Sequence, residues 1–194
     1  MAPPVVISSP RHAASPIVVL DTNKTSSSYG HLTITSADIA LEKALHNLNS
    51  LHADYRTIPL EDAFNWNAIA ASLDPDLSGR WYLVVFRSIR HPDADHGALY
   101  EADRLAHEEA KQSGGILKYW YGDLNHRREC LAMCVWANRE FAKKATHKPS
   151  HIKAMTLAAS MYDTYKLDRY WLVKEKGSRE FRIEQVGHNV YETR

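Results

Sequence analysis

Six aromatic side chains, Tyr119, Trp120, Tyr121, Trp136, Tyr170 and Trp171, crowd three short stretches of the chain. Aromatic walls with a few polar tips suit a flat organic ligand. The same residues also dominate ordinary core packing, so aromatic crowding alone does not make a site.

The titratable groups narrow the chemistry further. His147 and His151 stand four apart, a spacing that on one helix would suit a metal ion. Pro149 lies between them and interrupts any shared helix, and no carboxylate or thiol stands at ligand spacing, so no metal is expected. His91 and His96 flank Asp93 and Asp95, where plain capping of a helix start is the simpler role. Arg139, Lys143, Lys144, Lys148 and Lys153, with Arg127 and Arg128 nearby, form a basic cluster. It could orient a carboxylate or phosphate, and a solvated helix face is its ordinary explanation.

Cys130 and Cys134 fall on the same side as Trp136 if all three share a strand. Strand rise then separates their Cα atoms by roughly 13 Å. A disulfide tolerates no more than about 7 Å, so the two do not pair. They read as small buried hydrophobes rather than nucleophiles, because no general base stands at a recognisable spacing. No G-x-S-x-G elbow, phosphate loop or dinucleotide fingerprint occurs. An acyl-CoA-dependent acetyltransferase needs a glycine-bearing pyrophosphate loop, and Ala145-Thr146-His147-Lys148 contains no glycine.

The bulk numbers set outer bounds. At 194 residues the chain can bury one core and carry an extension. With 44% hydrophobic and 24% charged residues and a net charge of +1, it lacks the basic excess of a nucleic-acid binder. It has no strong attraction to a membrane surface either. Pro3, Pro4, Ser8, Ser9 and Pro10 stand where a signal peptide needs an unbroken apolar stretch. No run reaches the roughly 20 apolar residues of a membrane span. A reduced cytoplasmic protein is expected, with the nucleus open by diffusion.

These groups must be positioned by secondary structure. Residues 1–30, rich in Pro, Ser and Thr, predict a disordered arm in which Ile17 to Leu20 could add an edge strand. Residues 31–79 predict a helical extension, with one helix from Ser36 through Leu51 and another over Asp62 to Leu73. Residues 80–194 predict an α+β domain. Its strands are Trp81 to Ile89, Ile116 to Tyr121, Glu129 to Trp136 and Leu167 to Lys174, with a last short one over Phe181 to Val186. Its helices are Asp95 to Ser113, Asn138 to Ala145, and a restart at Pro149 that runs to Lys166 on a stripe of Ile152, Met155, Ala158, Ala159, Tyr162 and Tyr165. Strand, helix, strand, strand, helix, strand is the ferredoxin-like β-α-β-β-α-β order. Two helices on one face leave the other face to be covered by the chain before residue 80 or by a second subunit.

Two resemblances sharpen this picture. Cys134-Val135-Trp136-Ala137-Asn138-Arg139-Glu140, then Pro149-Ser150-His151 and Tyr165, resembles the second half of dimeric α/β-barrel proteins. That group includes antibiotic-biosynthesis monooxygenases and haem-degrading relatives. From about Ser36 to Lys174 the chain more closely resembles an uncharacterised family of fungal proteins. The shared features are Lys118-Tyr119-Trp120-Tyr121-Gly122, the strand Glu129 to Trp136, and the strand around Tyr170. The fungal resemblance implies a fold and an origin, but no activity.

The barrel resemblance implies a homodimer and an enzyme without a tightly bound cofactor, acting on a small aromatic or polyketide-like molecule. Its pocket would be formed by the sheet and closed by the helices. Tyr121, Trp136 and Arg139 would line it, with His151 or Tyr119 as general acid or base. The alternative is a non-catalytic ligand-binding or protein-interaction module, whose sheet face self-associates and whose basic helix docks an acidic partner.

Overall fold

The computed structural model describes residues 32–192; the arm expected over residues 1–30 and its candidate edge strand lie outside them. Helix α1 (Ser36–Ala44) opens on a capping box in which Thr35 and Asp38 satisfy each other's backbone N–H groups. A tight turn, Leu45–Asn47, ends it earlier than the apolar spacing predicted. The expected second helix is two short ones, α2 (Leu60–Ala63) and α3 (Trp66–Ser72). Between them Phe64 is extended and bridges to Ser50, which interrupts the helical hydrogen bonding.

The core follows as β1 (Gly79–Arg90), α4 (His96–Ser113), β2 (Ile116–Tyr121), β3 (Glu129–Trp136), α5 (Arg139–Thr146), α6 (Pro149–Ala158), β4 (Tyr162–Lys174) and β5 (Arg182–Glu192). Local chemistry accounts for the boundaries. Asp95 caps α4 by accepting from the Ala98 N–H, and Gly114 stops it with a φ of +81° that most residues avoid. The Asn138 side chain accepts from the N–H groups of Glu140 and Phe141 to start α5. Lys148 is extended, as the residue before a proline should be, and Pro149 takes the first turn of α6.

One boundary departs from expectation. Helix α6 ends at Ala158 rather than Lys166, and Tyr162 and Tyr165 sit in β4. Thr164 pairs with Ile89 and Tyr165 with Ser88, so β1 supplies a ladder for these β-branched and aromatic residues. The helical repeat there was accidental, and tertiary pairing overrides it. The buried stripe of α6 keeps Ala158 as expected but differs elsewhere: Ile152 is exposed, while Ala154 is buried. His151 stands three residues before Ala154, so it shares this inward face.

The sheet order is β2-β3-β1-β4-β5 with every neighbour antiparallel. Its first four strands have the ferredoxin-like arrangement, and β5 adds an outer edge longer than the expected Phe181 to Val186. Trp81 through Phe86 are all buried, so both sheet faces are covered at the centre. Tyr82, Val84 and Phe86 pair with Trp136, Cys134 and Ala132 on the face that carries α4 and α6.

Residues 36–73 cover the opposite face. The Trp81 indole N–H donates to the Asp38 carboxylate at 2.7 Å. The Trp120 ring meets Tyr55 and Phe64 edge-on at 5.3 and 4.8 Å. Arg87 donates to the carbonyls of Arg56 and Ile58 at 3.0 and 3.1 Å. Gly122 lets Tyr55 in, because a Cβ there would lie 1.9 Å from the tyrosine oxygen. Of the two coverings expected for this face, the chain before residue 80 or a second subunit, the chain's own extension is the one found. Self-association through this face therefore has no bare apolar surface at its centre. At one end of this cover a cleft of about 410 Å³ remains beside Arg56, Thr57, Ile89, Thr164 and Lys166.

Candidate functional site

The structure brings three of the five expected site residues together between the helices and the sheet. Tyr119 comes from β2, Trp136 from β3 and His151 from the first turn of α6, and all three line one cavity of about 40 Å³. Phe86 floors it, and Ala106, Ala110 and Ala154 face it from α4 and α6. The alanines explain the hollow: small side chains on both helices do not fill the space above the sheet.

Two residues of this wall were not anticipated, Asp103 and His107. The buried stripe of α4 runs through Ala102, Ala106 and Ala110. Asp103 and His107 stand four apart on the adjoining stripe, so a polar i, i+4 pair beside small residues was the available signal. Tyr119 donates its hydroxyl proton to the Asp103 carboxylate, at 3.0 and 3.1 Å to its two oxygens. The His107 ring meets the Tyr119 ring edge-on at 4.6 Å.

Electrostatics assign these groups distinct capacities. Burial, then the neighbouring Asp103 charge, pushes the Tyr119 pKa well above its ordinary value. Tyr119 is thus a protonated donor held by Asp103 and not a base. Burial lowers His151 to about 4, with the Glu109 charge opposing weakly. Burial lowers His107 to about 4 as well, with Lys111 adding to the effect. Both imidazoles are neutral at pH 7. Both ring nitrogens of His151 are buried and have no hydrogen-bond partner among the described residues. Cys134 also lines the cavity, but burial raises its thiol pKa far above the neutral range. Cys130 is raised to about 11 by the same cause and donates to the Gly122 carbonyl. Neither cysteine is a nucleophile at neutral pH, and both are free thiols.

The other two expected residues lie elsewhere. Tyr121 is exposed to 39%, 5.5 Å from the Tyr119 ring centre to centre, and does not line the cavity. Arg139 lines a different cleft with Tyr82, Arg169 and Trp171. The basic cluster disperses. Lys143 pairs with Glu140, Lys144 donates to the Ser113 carbonyl, and Arg127 and Arg128 pair with Glu129 and Asp163. His147 bonds the Lys143 carbonyl at the end of α5, on a different helix from His151. Among the described residues no group of three or more His, Cys, Asp or Glu is placed to hold a metal ion. Among them also, no helix is long and apolar enough to cross a membrane.

Comparison with known proteins places the chain. It is 35% identical over 106 residues to the UPF0643 protein PB2B2.08 of Schizosaccharomyces pombe, covering 50% of this chain and 47% of that one. The chain thus spans about half the length of the curated relative it matches. Two crystal structures of SnoaB, a cofactor-independent oxygenase from Streptomyces nogalater, superpose on part of it. One gives a TM-score of 0.40 at 10% identity over 49% of this chain and 93% of SnoaB. The other gives 0.39 at 7% identity over 50% and 94%. The family model described as PB2B2.08-like matches residues 21–185, and the chain belongs to that family.

Proposed function

We propose that the cavity between α4, α6 and the sheet is an acid–base site for a small organic molecule bearing a weakly acidic O–H or activated C–H. The observation that carries this reading is His151, a neutral imidazole whose two ring nitrogens are buried at the cavity without a partner among the described residues. A buried polar group left unsatisfied costs about 1–3 kcal/mol, which a guest group hydrogen-bonded to it would recover. Tyr119, whose single hydroxyl proton goes to Asp103, offers its oxygen lone pair as an acceptor of set direction.

Size limits what can enter. A cavity of about 40 Å³ has room for a single functional group. A benzene ring occupies an enclosed hollow of about 150 Å³. The reacting group therefore enters, and any ring rests outside it, near His107 and the exposed Tyr121.

A histidine held at about 4 is a weak base while the cavity is neutral. Proton transfer from the guest changes that balance, because it leaves an anion beside the new imidazolium. At about 4 Å and an effective dielectric near 20 the attraction is roughly 4 kcal/mol. That is about three powers of ten in acidity, enough to bring His151 near neutrality during the transfer.

The experiment is deuterium exchange into the methyl group of acetophenone, followed by proton NMR in D2O, with wild type and His151→Gln. Wild type is expected to exchange at least tenfold faster than the variant, with a saturable shift of the His151 Cε1–H resonance. Saturable binding without exchange would support the non-catalytic ligand-binding module instead. Neither binding nor exchange above the variant would defeat both readings.

A further inference from the structure

A second cleft, of about 250 Å³, opens on the same sheet face where β1, β4 and β5 extend beyond the helices. Its walls include Tyr82, Arg139, Arg169, Trp171, His188 and Asn189. Tyr82 is the cross-strand partner of Trp136, so this cleft lies one strand over from the His151 cavity. The two hollows share no lining residue.

Its charge is unbalanced. Arg80, Arg87, Arg104, Arg127, Arg128 and Arg182 all have carboxylate partners. Arg139 and Arg169 form no ion pair among the described residues, although they come from different elements, α5 and β4. Both guanidinium groups share the cleft with the Tyr82 hydroxyl, and both charges act on it. Arg169 is oriented by the Asn189 side-chain oxygen at 2.5 Å. Gly187 preserves this arrangement, since a Cβ there would come within 3.2 Å of the Arg169 guanidinium. Two uncompensated guanidinium groups in a concavity make a forked site for a carboxylate or phosphate.

The walls add a second preference. Trp171 packs edge-on against Tyr82 at 5.2 Å, and Arg80 stacks on the Trp171 ring at 4.0 Å. The cleft volume accommodates a single aromatic ring, for which about 150 Å³ suffices, together with a charged head group. We infer that this cleft binds a small aromatic oxyanion, with its charged group between Arg139 and Arg169 and its ring toward Trp171. The inference stands independently of the acid–base site.

The test is titration of the full chain with phenyl phosphate and, separately, benzoate, following the Trp171 indole N–H peak in a nitrogen–proton NMR spectrum. Trp171→Phe assigns that peak. At low ionic strength at least one probe is expected to saturate, and added salt should weaken it. Arg139→Gln and Arg169→Gln should each weaken binding at least fivefold, and Arg139→Glu should abolish it. His151→Gln and Arg104→Gln should leave it unchanged. Preference for phenyl phosphate marks a phosphorylated ligand, and preference for benzoate marks a carboxylate; either supports the site. The inference is overturned if neither probe saturates, if both glutamine variants bind like wild type, or if Arg104→Gln loses as much. Arg139 is exposed on the first turn of its helix, so its variants report on binding rather than folding.

Discussion

Replacing His151 with glutamine should flatten the dependence of stability on pH by an amount that can be worked out. Burial holds the folded His151 at about 4, against an ordinary 6.5 in the unfolded chain. Between those two values the unfolded chain carries a proton on this ring and the folded chain does not. The unfolded state binds more protons, so stability rises with pH in this window and falls on acidification. Integrated from pH 7.5 to pH 5.0, this one side chain removes about 2 kcal/mol of stability, and the loss levels off below about pH 4. Glutamine does not titrate, so His151→Gln should lose about 2 kcal/mol less than wild type over the same interval. His107 acts in the same direction but is partly solvated, and it is present in both proteins, so it cancels from the difference. Urea unfolding followed by tryptophan fluorescence at the two pH values measures each loss. Parallel losses in wild type and variant would refute the claim that His151 is buried and neutral. The site reading would go with it.

Other consequences concern how the parts are held. Gly122→Ala should destabilise by about 1–3 kcal/mol in thermal or urea unfolding, because its Cβ collides with Tyr55 and lifts the extension from the sheet. Trp81→Phe deletes the buried donor to Asp38; a loss of about 2 kcal/mol is expected, and a loss below 0.5 kcal/mol would mean that this bond does not anchor α1. Asn138→Ala removes the cap of α5 and should cost about 1 kcal/mol by urea unfolding. Ala154→Leu puts a larger side chain into the cavity wall, and NMR titration with acetophenone should then show no saturable shift at His151.

Much of the architecture was legible in the chain itself. Trp81 to Ile89 is β-branched and aromatic, Gly114-Gly115 stops a helix, and Pro149 restarts one; each is a local signal that needs no distant partner. Their order gave the ferredoxin-like arrangement. Where two local signals competed, the wrong one could be chosen. Tyr162 and Tyr165 keep helical spacing after Ala158, and only the ladder offered by β1 makes them strand.

The candidate site was half legible for a related reason. Strand alternation put Cys134 and Trp136 on one side; Tyr119 reaches the cavity beside its cross-strand partner Cys134, while Tyr121, two residues further along β2 opposite Ala132, lies beyond it. Arg139 and His151 are twelve residues apart with a turn between them, and nothing local says that they face different hollows.

Residue order and periodicity determined most of the helices and strands, because those choices are settled by backbone propensity and by apolar faces a few residues long; the exception is Tyr162 to Tyr165, which pairing with β1 makes strand. Which face the extension covers, which stripe of α6 turns inward, and which charges go without partners were settled by packing. Those outcomes depend on contacts between residues tens of positions apart, such as Asp38 with Trp81, and such contacts exist only once the chain has closed on itself.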